Sequence, residues 1–254
     1  MVHDLETVFM DHGDTEKTRH LMRFFKTGIG QYGYGDQFLG LAVPVARSLI
    51  APFKGKLDLS DFDRLLNSSW HEIRLAALLL MTDSAKQMLK RNDAVGLREL
   101  VAFYDKRLES ANNWDLIDLS VYNIMGAYWQ CANIEPAERK RFLRIWADSG
   151  NLWRERAAIV STNALIRQGH LEETFWLAEY FINHSHDLMH KATGWMLREA
   201  GKKDIKALRD FLTVFHRRLP RTALRYAIER MEPAERKKWM DKGGSPSCDA
   251  HTRK

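Results

Sequence analysis

Cysteine is nearly missing from this chain: there are two in 254 residues, Cys131 and Cys248, 117 positions apart. Such a pair gives no disulfide framework, and no CxxC or Cys/His quartet offers a structural zinc site. Glycine (15) and proline (6) are also sparse, and nothing alternates in the strand-turn-strand manner of a sandwich or barrel. Long apolar runs are absent. The longest in the body, Leu75 to Met81, is far too short to span a bilayer. Acids in Met1 to Asp14 stand where a secretory signal needs a cationic stretch and an apolar run. No Gly-rich phosphate loop and no Ser-His-Asp motif occurs. His186 and His190 lie four apart, but no third ligand has suitable spacing, so they read as capping or solvated histidines and no metal is expected. These gaps leave a soluble, cytoplasmic protein without a cofactor as the expectation, and nothing in the chain points beyond a monomer.

What the chain has is helical periodicity. The sets Leu97, Leu100, Val101, Tyr104, then Phe142, Ile145, Trp146, and then Phe175, Leu177, Ala178, Phe181 recur at three and four. Short polar breaks separate them, at Asn67–Ser69, Ser149–Asn151 and Asn183–Ser185. Their Ser and Asn side chains suit helix N-caps. Cys131, beside Tyr128 and Trp129, reads as a small core residue. The class is all-α.

Stacking the segments that follow the breaks reveals a repeat. Helices are expected to open at Trp70, Trp114, Leu152, Asp187 and Arg221, aligning Arg74, Asp118, Arg156, Lys191 and Arg225 at steps of 44, 38, 35 and 34 residues. That is the period of HEAT-type helical hairpins, which bury a continuous core by stacking; an irregular α-bundle is the alternative. One domain over residues 1–240 with a flexible polar tail over 241–254 follows.

Equivalent positions of stacked repeats form a row on one surface. Four cations in helix N-terminal turns, Arg74, Arg156, Lys191 and Arg225, suit phosphates. The plainer reading is that such charges bridge neighbouring repeats. Asp118 interrupts the row, with Trp114 one turn earlier on its face and Trp195 four after Lys191. A carboxylate flanked by indoles repels phosphate but suits a cation. An Asp118–Arg156 ion pair with two core tryptophans explains the same residues.

Charge is uneven along the chain. Residues 201–254 hold 15 Lys and Arg against 7 Asp and Glu, and residues 1–200 hold 24 against 26. The formal total of +6 therefore says little about the partner.

Trp114-x-x-x-Asp118, Arg156-Ala157-Ala158, Lys191-Ala192-x-Gly194-Trp195-x-Leu197-Arg198-Glu199 and Phe38-Leu39-Gly40-Leu41-x-Val43-Pro44-x-x-Arg47 together resemble the AlkD-like DNA alkylation repair glycosylase family. The resemblance runs from about Phe24 to Arg230. It implies a right-handed α-solenoid of HEAT-like repeats whose concave basic face holds double-stranded DNA. It also implies excision of cationic N3- or N7-alkylated purines without flipping the base. By this resemblance Asp118 stabilises the oxocarbenium ion and positions water, Trp114 and Trp195 contact the deoxyribose, and Arg156 holds a backbone phosphate; Lys191, Arg74 and Arg225 are the further DNA-binding candidates from the cation row. The family's members carry an aromatic several residues before the Phe-Leu-Gly motif. Here that segment is Gln31-Tyr32-Gly33-Tyr34-Gly35-Asp36, which makes Tyr32, Tyr34 and Phe38 the candidate lesion contacts. A non-catalytic HEAT-like module for branched or damaged DNA and a protein-binding solenoid are the readings from other classes.

Overall fold

A computed structural model of the chain describes residues 1–241. The tail expected beyond Asp241, with Cys248 in it, lies outside the described residues. Among those residues there are fifteen α-helices and no strand; the one extended pairing is an isolated bridge between Gln37 and Trp70. Contacts divide the chain into two compact units, Met1–Gln168 and Gly169–Lys254, where the sequence suggests a single domain.

The first unit holds α1 (Val2–Asp11), α2 (Thr15–Phe24), α3 (Val43–Leu49), α4 (Leu59–Leu66), α5 (His71–Lys90), α6 (Ala94–Lys106), α7 (Trp114–Cys131), α8 (Pro136–Ala147), α9 (Leu152–Ser161) and α10 (Asn163–Gln168). Three of the five expected helix starts fall here, at α5, α7 and α9. These helices lie side by side, α5 along α7 and α7 along α9, while α4, α6 and α8 pack on them as the outer members of hairpins. Stacking explains why α5 is buried at every position from His71 to Thr82: a helix between neighbours has no solvent face.

Local chemistry sets the starts. Asp14 accepts from the Glu16 and Lys17 amides ahead of α2, and Asp58 and Asp61 form a reciprocal capping box ahead of α4. Asn151 caps α9 from the expected break. Ser68 instead accepts from the Trp70 amide, one residue short of the helix. Ile145 departs from the apolar pattern: it is exposed, and Leu143 and Trp146 anchor α8 instead. Cys131 is half-buried rather than core, because α7 ends there.

The second unit holds α11 (Glu172–Tyr180), α12 (Asp187–Lys203), α13 (Ile205–Phe215), α14 (Arg221–Ala227) and α15 (Pro233–Met240). Its core gathers Leu197, Leu208, Leu212, Leu224 and Ile228. Here α12 lies against α14, with Gly194 at the crossing. A Cβ on Gly194 stands 2.4 Å from the Ala223 carbonyl oxygen and 2.6 Å from the Tyr226 Cβ, so only glycine lets the helices approach so closely. His186 caps α12 through Nδ1, in place of Ser185.

Candidate active site

The first turns of α7 carry the candidate site residues. Asn113 accepts from the Trp114 amide at the helix start, and Trp114, Asp115 and Asp118 then fall on neighbouring positions of the first two turns. Asp118 meets Arg156 of α9 in a bidentate pair, Nε to Oδ1 at 2.9 Å and Nη2 to Oδ2 at 2.7 Å. Arg156 is 4% exposed, while the Asp118 side chain keeps 15% of its surface. Burial pushes the Asp118 carboxyl above its usual range; the guanidinium opposes that lift, and the nearby Asp115 carboxylate adds to it. The pair is the inter-repeat bridge the plainer reading anticipates, but Asp118 is not sealed in.

Beside it lies a cavity of about 330 Å³. Its apolar walls include Leu21, Phe24, Phe38, Leu75, Trp114 and Leu119, and its polar lining consists of His71, Glu72, Asp115 and Asp118. Trp114 stacks on Phe25 with ring centres 5.3 Å apart and meets Phe24 edge-on at 5.8 Å. Phe25 stacks on Phe38, and Phe38 on the His71 imidazole at 4.4 Å. An aromatic ladder therefore runs from Trp114 to His71.

At its His71 end the ladder joins a chain of charged groups. His71 donates from Nδ1 to Asp36 at 3.0 Å and from Nε2 to Asp115 at 2.9 Å. Burial disfavours the imidazolium, but the two carboxylates outweigh it and lift the His71 pKa to about 9. Asp36 also receives Arg74, and burial of its carboxyl is outweighed by His71 and Arg74, which hold it below the ordinary value. Glu72 is bound differently: the Leu39, Gly40 and Leu41 amides donate to its carboxylate at 2.8, 2.9 and 3.1 Å. Gly40 has φ +87°, and a Cβ there sits 2.1 Å from the Asp14 carbonyl oxygen, so glycine is needed twice over.

The expected row of cations separates. Arg74 is 5% exposed and gives its donors to Asp36, Asn112 and the Ser68 and Ser110 carbonyls. Its guanidinium is thus an internal tie rather than a surface group, and Arg156 is turned inward to Asp118 in the same way. In the second unit Lys191 pairs with Asp187 at 2.8 Å, Trp195 is half-buried, and Arg225 is exposed. Arg225 lines a depression of about 280 Å³ with Arg236 and Lys237, two cations outside the repeat alignment. Among the described residues no three His, Cys, Asp or Glu side chains gather as metal ligands.

The aromatic companions of Trp114 are Phe24 and Phe25, which spacing alone misses. Tyr34 is exposed, Tyr32 meets Trp153 edge-on, and neither lines the cavity; Phe38 is buried and does line it. The usable signal was the Phe-Phe pair closing α2, a helix with no buried residue of its own. Asp36, His71, Glu72 and Asp115 are likewise not found by spacing, since their partners lie 31 to 44 residues away.

A family model described as DNA alkylation repair enzyme matches residues 5–231. A search of curated proteins returns no match. Among solved structures, one described as a predicted DNA alkylation repair enzyme from Enterococcus faecalis aligns over 87% of this chain and 97% of its own, with a TM-score of 0.67 and 15% identity. At that identity the likeness speaks for a shared fold.

Proposed function

The chain belongs to the family of DNA alkylation repair enzymes, and from that membership we propose that it is a DNA glycosylase for cationic N3- or N7-alkylated purines in double-stranded DNA. One observation carries the reading: a carboxylate, Asp118, stands partly open at the edge of an aromatic cavity with Trp114 beside it. An alkylated purine already bears positive charge, so it leaves without a proton from a general acid. The C1′–N bond breaks with its electron pair moving onto the base, which becomes neutral. Positive charge then sits on the sugar, where one ionised carboxylate and an indole face stabilise it. Water adds at C1′ and gives up its proton through Asp118. Ordinary glycoside hydrolysis needs a second carboxyl for its leaving group, and this substrate class does not.

Arg156 is a positioning residue in this scheme, fixing both Asp118 oxygens and favouring their ionised form. Phosphate contacts fall to cations with exposed surface, Lys191 and Arg225, and Trp195 is assigned the deoxyribose contact on resemblance alone. A right-handed solenoid with a basic concave face, a monomer and a cytoplasmic setting belong to the same proposal; no described helix is long and apolar enough to cross a membrane. The base can meet Asp118 from within the stack, as the resemblance implies, or turned out of it, and the chemistry at C1′ is the same.

The test is release of free base from duplex DNA containing N7-methylguanine or N3-methyladenine. Asp118→Asn is expected to slow release by roughly a hundredfold or more with folding intact. Equal release by the variant removes Asp118 from catalysis. No release by the wild type on either substrate favours a non-catalytic module for branched or damaged DNA, which the bridged Asp118–Arg156 pair also suits.

A further inference from the structure

Residues 26–35 form a loop whose two ends are anchored and whose middle is uncovered. Before it, Phe25 is buried against Phe38 and Trp114. After it, Asp36 is buried and holds His71 and Arg74. At the foot of the loop the Gly33 amide donates to the Lys26 carbonyl at 3.1 Å. At its tip the Gln31 amide donates to the Gly28 carbonyl at 3.0 Å, closing a turn with Ile29 and Gly30 at its centre. The Gln31 side chain accepts in return from the Gly28 amide at 3.0 Å. This backbone holds Ile29 out at 90% exposure, above every other large apolar side chain among the described residues. Single exposed apolar residues are ordinary. One at the apex of a hydrogen-bonded turn is different, because the turn denies it the collapse onto its neighbours that a slack loop allows. Branching at Cβ also leaves it few rotamers to lose on insertion.

Location and charge point to the partner. A Cβ placed on Gly33 stands 3.3 Å from Nδ2 of Asn113, the residue that caps α7. Tyr32 meets Trp153 of α9 edge-on, three residues before Arg156. The loop thus rests on the two helix starts that carry Asp118 and Arg156. Arg23 and Lys26 at its foot are exposed, and among the described residues neither has an ion pair, whereas Lys17 of α2 is held by Asp14. Lys26 takes left-handed backbone, φ +57°, at a helix end that favours glycine or asparagine, so what lysine adds there is its charge. An apolar point flanked by cations fits stacked bases between phosphates. We infer that residues 26–35 form a wedge: with duplex DNA on the candidate site, Ile29 enters a groove and opens one base step, while Arg23 and Lys26 hold flanking phosphates. An opened step keeps its bases inside the duplex, so the wedge suits the unflipped geometry that the family resemblance implies. It rests on duplex DNA as the partner and not on base excision.

The test uses the whole protein and undamaged duplexes carrying one 2-aminopurine, whose emission rises when it unstacks, at successive positions. At saturating wild type the emission is expected to rise at central positions. Ile29→Ser is expected to lose that rise with the salt dependence of binding unchanged, and Ile29→Met to keep it. Neither should move the melting temperature, since the position is exposed. Arg23→Gln combined with Lys26→Asn, which suits left-handed backbone, is expected to lower the slope of log affinity against log salt by about 1.8, at about 0.9 per phosphate. No rise with the wild type, or an equal rise with Ile29→Ser, overturns the wedge, and an unchanged slope in the double variant overturns its phosphate contacts. Ile29-dependent cosedimentation with phosphatidylglycerol vesicles and no rise on DNA overturns it in favour of a lipid surface. Release of methylated base without the rise removes the wedge and leaves the glycosylase reading standing. The rise without release does the reverse.

Discussion

Two carboxylates of α7, three residues apart, are each matched to a cation on a neighbouring helix, and they end in different circumstances. Asp115 reaches back to His71 of α5, which is itself tied to Asp36, and Asp36 to Arg74. That set is buried and includes a loop residue. Asp118 reaches forward to Arg156 of α9 and retains some exposed surface beside a cavity. The same acid–cation chemistry thus fastens structure in one place and leaves a partly exposed carboxylate beside a cavity in the other. Burial and the number of partners make the difference, not residue type.

The comparison can be broken most forcefully at Asp36. Asp36→Ala leaves Arg74 and His71 buried without their shared carboxylate and is expected to destabilise the fold by about 3–5 kcal/mol. Denaturant unfolding measures this, and a loss comparable to that of an exposed ion pair would mean the network is not a fastening. On the other side, Asp118→Asn keeps an amide oxygen for Arg156, so it should cost less stability than Asp36→Ala while activity collapses.

A finer contrast comes from acid. Because burial lifts the Asp118 carboxyl and the Asp118 reaction needs it ionised, base release should fall away on acidification at a pH above the ordinary carboxylate range. Arg156→Gln removes the group that opposes the lift, so the acid limb should move higher still. An unmoved limb in a pH–rate profile detaches Arg156 from Asp118's ionisation.

The smallest expected effect runs in the opposite direction of pH. His71 titrates at about 9 in the folded chain against 6.5 when unperturbed. Its imidazolium therefore contributes its full stability below pH 6.5 and loses it as pH rises through 9. Melting temperature should decline across that window in the wild type and decline less in His71→Gln. Parallel curves would show that His71 is neutral in the fold.

Much of the architecture was legible because it is periodic. The segments at Trp70, Trp114, Leu152, Asp187 and Arg221 all lead into helices, and apolar spacing with polar breaks carries that information locally. Asp118 stood out for a similar reason, since Trp114 four residues earlier must share its face. Side-chain direction was not legible. Arg74 looked like a surface cation in a row, and what turns it inward is Asp36, 38 residues earlier in a loop with no periodic signature. The cavity was hidden likewise, its walls being drawn from α2, the segment around Phe38, α5 and α7. Tyr32 and Tyr34 were singled out from the family's aromatic ahead of the Phe-Leu-Gly motif and do not line the cavity, and Phe24 and Phe25 sit at the end of an otherwise polar helix.

The three amides that close on Glu72 also bear on how the chain is made. Residues 39–41 leave the ribosome before Glu72, and the partner they need is 31 to 33 positions further on. At roughly 5–20 residues per second the N-terminal helices wait a few seconds for α5 to be synthesised before they can dock. The segment that supplies Phe24 to the cavity is therefore translated before the helix that holds the loop after it.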